Sequence, residues 1–527
     1  MKYEFYTLDS AEGYVDELQI FVRWLEPVLL LLVAPLAIFA ERVPVITALI
    51  GLVLLLIPYL LRKAVYGYFT VSIPAILPLA ALLFGILPLS IWMTPAPERA
   101  MWPELMRSLW SMAVCLGVIH WSFPAEPTVQ WTKPDPIDER GRLPRTLLEL
   151  TLLYLVIGAL FTLSSLLILR SADKLTLLTV WAAYLPRVYS QWFYGFHNNE
   201  IGGIVLLFLP LTTALLLGAN MVDQQGRYGW LWRGCWQSIL FLLVLLFGAA
   251  LLLAQSRAAW LGAAMAFVLL LVLLDRRGWL LLLILAGVLG IALTVIGPLR
   301  VVDGLTVGSD VKTANDLVTG ILTDRNLAAR FLIWQRALHG IADAPLTGMG
   351  LAAFRLVVRE PYAPLAGYHI DPDIHHAHNL FLQIGVDLGL PGLFAFGLLL
   401  LLAITALVRC YRQTPEDSPM RAWTAGLAGS LLAYLIYSMF DTVTLGAQRG
   451  VTFWFLLGLC LAAGELRVNK AATEVRPPQF QPAGFIPQPQ GQPAYFLPIT
   501  DEVVTDKRPQ SGEYQDCTFL VQQRPPE

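Results

Sequence analysis

The chain has 527 residues, 57% of them hydrophobic and only 14% charged, whereas an ordinary soluble domain is roughly 25% charged. A mean hydropathy of +0.62 and repeated long apolar runs exclude a water-soluble globule and point to an all-α polytopic membrane protein. The near-balanced charge, formally -2, supplies no basic field, so no nucleic-acid partner is expected. Cys115, Cys235, Cys410, Cys460 and Cys517 are scattered without the paired spacing of a zinc site or a disulfide framework.

The N-terminus, MKYEFYTLDSAEGYVDELQ, is acidic and polar, so no cleavable signal is apparent and the first span is expected to stay as an anchor. Apolar runs follow at about 25–40, 44–61, 71–92, 108–123, 146–169, 201–219, 237–254, 258–274, 278–298, 380–408, 422–443 and 451–466. Each approaches the ~20 residues that cross a bilayer as helix, which predicts about 12 transmembrane helices. Helices are expected because these runs lack the alternation of a barrel strand. The domain reading is an N-terminal bundle over 1–298, a large external loop over 299–379, C-terminal helices over 380–466, and a Pro/Gln-rich tail over 467–527.

Arg276 and Arg277, Arg227 and Arg233, and Arg409, Arg412 and Arg421 mark three short loops that belong on the cytoplasmic side. Counting spans then puts 299–379 on the external side and the tail in the cytoplasm. Residues 124–200 carry mixed signals, and 175–190 reads either as a thirteenth span or as an external amphipathic helix.

Histidine is unevenly spread: of seven, His339, His369, His375, His376 and His378 lie in or at the end of the external loop. His378 directly precedes an apolar run and should sit at the membrane surface. Three readings compete there. Polar residues with Asn379 could cap the next helix; His376 and His378 with Asp371 and Asp373 could bind a metal; or His378, with Asn379 beside it, could serve as a base near neutral pH.

Residues 238–274 as one helix would be about 55 Å long, too long for one crossing, so a break is expected at Gln255-Ser256-Arg257 on the external side. Arg257 then shares a membrane face with His378. An arginine there either snorkels to headgroups or offers its fork to a phosphate. Within the loop, Leu327, Phe331, Trp334 and Leu338 fall at helical spacing and Asp343, Pro345 and Gly348 act as stop signals. On this amphipathic helix, lying on the membrane or on the spans, Arg330 could point inward, whereas Arg325 and Arg336 are expected to be solvated.

These residues resemble the bacterial O-antigen ligase family, a branch of the membrane glycosyltransferases that also includes O-antigen polymerases and protein O-oligosaccharyltransferases. Arg257-Ala-Ala-Trp-Leu261 is similar to the family's Arg-x3-Leu. His378-Asn379, nine residues, then Gly389-Leu390-Pro391-Gly392 is similar to its His-Asn-x9-Gly-x-x-Gly signature. Arg330-x3-Trp334 with Asp343 to Gly350, and His197-Asn198-Asn199 before the 201–219 span, also look like family segments. The resemblance covers roughly residues 190–400.

It implies a GT-C-like architecture in a bacterial inner membrane, with the loop on the periplasmic side. The implied reaction moves a glycan from an undecaprenyl-diphosphate carrier to an acceptor hydroxyl, on lipid A core or another glycan, with inversion. No metal, cofactor or nucleotide sugar is implied. His378 would be the base and Arg257 and Arg330 would hold the diphosphate, supported by His376, Asn379, Asn198, Gly389 and Gly392. Polymerase and protein O-oligosaccharyltransferase share these pieces. A lipid-linked sugar transporter is the alternative of another class; it would need ionisable groups near the midplane, and Asp441 is the only clear acidic residue placed deep in a predicted run.

Overall fold

The computed structural model describes residues 9–40, 43–67, 69–70, 73–94, 101–123, 143–167, 198–218, 229–254, 256–274, 325–354, 376–416, 418–441, 447, 449–464 and 466. Within them the chain is helical throughout, with no strand. The helices are α1 (Asp9–Ile38), α2 (Val45–Tyr66), α3 (Ile76–Met93, with a π turn at Leu82–Ile86), α4 (Met101–Ser122), α5 (Arg145–Leu167), α6 (Asn198–Val205), α7 (Leu209–Gly218) and α8 (Gly229–Ala254). They continue with α9 (Arg257–Leu274), α10 (Arg325–Asp343), α11 (Leu380–Gln413), α12 (Pro419–Tyr437) and α13 (Val451–Ala463).

Eleven of the twelve apolar runs fall on these helices; the run at 278–298 lies outside the described residues, as do 168–197 and the tail. Among the described residues, seven segments are long and apolar enough to cross a membrane: in α1, α3, α5, the α6–α7 pair, α8, α9 and α11. Twelve spans are therefore not reached on this measure, and α13 is a shorter apolar helix. The expected break is present: α8 ends at Ala254 and α9 begins at Arg257. Trp260 pins the turn, its indole N–H donating to the Leu251 carbonyl at 3.0 Å.

Side-chain contacts order the two ends of the bundle. At one end Tyr411 Oη donates to the Leu273 carbonyl (2.5 Å) and Arg421 donates to Tyr411 (3.0 Å), joining the last turns of α9 and α11 to the start of α12. The other end gathers the starts of α6, α9 and α11 and the end of α12. Small residues bring the backbones close there, because dispersion contact between helices needs short interaxial distances. The Tyr437 ring packs directly over Gly203, and Gly262 faces the Ala433 carbonyl, where an added Cβ would lie only 2.5 Å away.

α10 packs across the first turns of α11, burying Ile333 and Ala337 against Ala377 and Val386. The buried face differs from the expected one: Phe331 and Leu338 point outward, and Arg336, expected to be solvated, is 7% exposed. The stem of a long arginine is apolar, so it can lie in a packed face that a purely apolar stripe would not mark. The turn after α10 is locked to a break inside α11 by two backbone bonds, Met349 N to Val386 O (2.6 Å) and Leu390 N to Pro345 O (2.7 Å). Gly348 (φ +70°) and Gly389 (φ +69°) meet at this joint in the left-handed region, too close for any side chain.

At the opposite end, α1, α2 and α4 enclose a charged cluster. Arg62 Nη2 donates to Glu26 Oε2 (2.6 Å), His120 Nδ1 lies 2.8 Å from Glu26 Oε1, and Thr70 Oγ1 contacts His120 Nε2 at 2.8 Å. Glu26, Arg62 and His120 are each under 5% exposed. Asp441 is thus not the sole acidic group within an apolar run.

Gly348→Ala should lower stability by about 1–3 kcal/mol, the scale of a strained backbone position, read as a fall in thermal midpoint in detergent. Gly397→Ala, in the same helix as Gly389 but with open space around it, should leave the midpoint nearly unchanged.

Candidate active site

The segment before α11 is built around Asn379. Its Oδ1 accepts from Phe381 N (3.0 Å) and Leu382 N (3.1 Å), satisfying two of the otherwise orphaned N–H groups at the start of the helix. Its Nδ2 donates to Met439 O (3.1 Å), and Leu380 N donates to Ser438 O (2.9 Å), tying the head of α11 to the tail of α12. Ala377 N donates to Gln383 Oε1 (2.7 Å), Gln383 Nε2 donates to both oxygens of Asp387, and Ser90 of α3 donates to the Asp387 carbonyl. The two histidines flanking Ala377 therefore project from a backbone held at three points. His378 itself has φ +48°, uncommon for a side chain of this size and of the kind that clusters at functional positions.

Asp441, in the turn beyond α12, receives these groups. His378 Nδ1 lies 3.0 Å from Asp441 Oδ1 and His376 Nε2 lies 3.8 Å from the same oxygen. Asn199 of α6 donates to Oδ2 at 2.9 Å, and Tyr437 Oη donates to the Asn199 carbonyl at 3.0 Å. The carboxylate is 5% exposed. Burial alone would push its pKa up, but the hydrogen bond from His378 and the positive character of the His376 and His378 imidazoles outweigh burial and hold it well below the usual carboxylate range. An ionised carboxylate only accepts, so His378 Nδ1 carries a proton, and in the neutral ring the lone pair is on Nε2. Next to this network Glu200 and Arg449 form an ion pair. The donor atoms of His376, His378 and Asp441 lie within 4.8 Å of one another, close enough to surround a metal ion.

Arg257 heads α9 and is exposed, and its neighbours Ser256 and Ala259 pack against Gly202, one turn beyond Asn199. Arg330 is half-buried on α10, and its charge acts on Tyr437. Both expected guanidiniums thus belong to elements that touch the His378 network. Asn198 opens α6, but its side chain is outside the described residues and the neighbour Asn199 makes the contact. Gly389 forms the joint with Gly348, and Gly392 packs against Leu388. His197, His369, His375, Asp371 and Asp373 are outside the described residues. Sequence reasoning named Asn199 only as part of a motif, missed Tyr437, Glu200 and Arg449, and gave Asp441 no part in the site. The one available signal was an isolated Asp at the end of an apolar run.

Two imidazoles and a buried carboxylate thus meet at one end of a helical bundle, on elements adjoining those that carry Arg257 and Arg330. Residues 241–397 match the family model described as O-antigen ligase. The match holds Arg257, Arg330, His376, His378 and Asn379, and it is narrower than the resemblance over 190–400. Asn199 and Asp441 fall outside it. Comparison with curated proteins finds no match.

Because the Asp441 pKa is depressed, the stability it contributes is present above the ordinary carboxylate pKa and is lost as pH falls through the lower folded value. The gap in thermal midpoint between wild type and Asp441→Asn should therefore persist at about pH 5 and narrow only below about pH 4.

Proposed function

We propose that the chain is a metal-independent, inverting glycosyltransferase that moves a glycan from an undecaprenyl-diphosphate carrier to an acceptor hydroxyl, on lipid A core or a related glycan, at the periplasmic face of a bacterial inner membrane. The observation that carries this reading is the His378–Asp441–Asn199 network. A carboxylate fixed on Nδ1 orients the imidazole and leaves Nε2 to accept the proton of an incoming hydroxyl. This arrangement also stabilises the imidazolium that forms.

As the glycosidic bond breaks, the leaving lipid diphosphate gains negative charge. Arg257 meets that charge at the head of α9, where the helix dipole adds to its own, and Arg330 meets it from α10. Fixed cations in a poorly hydrated site stabilise such a leaving group more than mobile ones in water would. The hydroxyl attacks from the face opposite the diphosphate, so configuration at the anomeric carbon inverts in one displacement. An apolar groove of about 300 Å³ between α3 and α4, lined by Leu83, Leu87, Trp92, Leu105 and Leu109, offers a bed for the prenyl chain.

Asparagine tolerates the left-handed backbone of position 378, so His378→Asn should fold and still lose roughly 10²–10⁴-fold in turnover, measured by gel shift of the glycosylated acceptor. Arg257→Ala should lose on the order of 10²–10³-fold. Ladders of repeats formed without a second acceptor would reject the ligase assignment in favour of polymerisation. Impermeant thiol labelling of Arg257→Cys and His378→Cys should mark both from the same side; opposite sides would overturn the mechanism.

A further inference from the structure

His376, His378 and Asp441 form a ligand set of a kind that divalent transition metals take up readily, and nothing in the proposed reaction uses it that way. His376 Nε2 and His378 Nδ1 face one oxygen, Asp441 Oδ1, at 3.8 and 3.0 Å. All three donors lie within 4.8 Å of one another. Zinc bonds of about 2.0–2.1 Å in a tetrahedron separate neighbouring donors by ~3.3 Å, so the ion needs only small side-chain adjustments. Asn199 holds the other carboxylate oxygen, the outer contact that orients a metal ligand. The imidazoles are 32% and 29% exposed, which leaves a route in and a fourth position for water.

We propose that this triad is an inhibitory site for zinc(II)-class ions. The consequence for the base is a change of tautomer. In the metal-free site the proton is on Nδ1, held by Asp441, and the lone pair is on Nε2. A metal on Nδ1 requires the neutral ring to carry its proton on Nε2. The imidazole then has no lone pair for the acceptor hydroxyl, although the acceptor can still bind. Inhibition should act on kcat more than on KM. This second half rests on His378 being the base; metal binding itself does not.

The test titrates untagged full-length protein in detergent with ZnCl2 by calorimetry, and with CoCl2 by visible absorption. One saturable equivalent and a tetrahedral cobalt spectrum are expected. His376→Ala and Asp441→Asn should each weaken binding by at least ~10–100-fold, and His339→Ala should not. If metal-free thermal melts show that His376→Ala has lost its fold, His376→Gln repeats the measurement. Zinc at saturation should cut turnover to the level of His378→Asn, with a chelator restoring it. The absence of a saturable equivalent, wild-type affinity in folded His376 variants, or full turnover with the site filled would each overturn the proposal. A protein that binds zinc as described yet transfers no glycan when metal-free would instead overturn the function proposed above.

Discussion

A single buried carboxylate organises the candidate site. Asp441 accepts from Asn199 on one oxygen and faces His376 and His378 on the other, so three elements, α6, the turn before α11 and the turn after α12, are referred to one charge. A charge with so little solvent around it is tolerable only when hydrogen-bonded, and its donors are the groups on which the proposed chemistry depends. The same demand that keeps the carboxylate satisfied also fixes which nitrogen of His378 faces outward. Stability and reactivity here are one constraint.

The surrounding architecture serves that constraint at several removes. Asn379 caps α11 with one side of its amide and reaches Met439 with the other. The Gln383–Asp387 pair steadies the backbone between the histidines, and Ser90 braces it from α3. The Gly348–Gly389 joint seats α10, which carries Arg330. None of these contacts touches a reacting atom in the proposed chemistry, yet each removes a freedom that His378 would otherwise have to lose on binding substrate.

What the sequence made legible follows from the physics of each feature. The α8–α9 break could be read because helix rise and bilayer thickness are both known, and the limits of α10 because its stop signals are local. The role of Asp441 was hidden because 63 residues separate it from His378, and no periodicity links a turn after one helix to a turn before another. Asn199 was named only as part of a motif, since a motif match does not say which amide reaches a carboxylate 242 residues away. Arg336 was misjudged because charge was taken as a sign of exposure, whereas the whole side chain, guanidinium included, is buried against its neighbours.

The charged cluster of Glu26, Arg62 and His120 has a bearing on how the molecule is made. A charged side chain facing lipid without a partner is penalised, and less so towards the ends of a helix than at its centre. The Arg62–Glu26 pair between α2 and α1 lessens this cost, and the His120 imidazole of α4 completes the cluster. The cluster is therefore complete only when three helices that are far apart in the chain have come together.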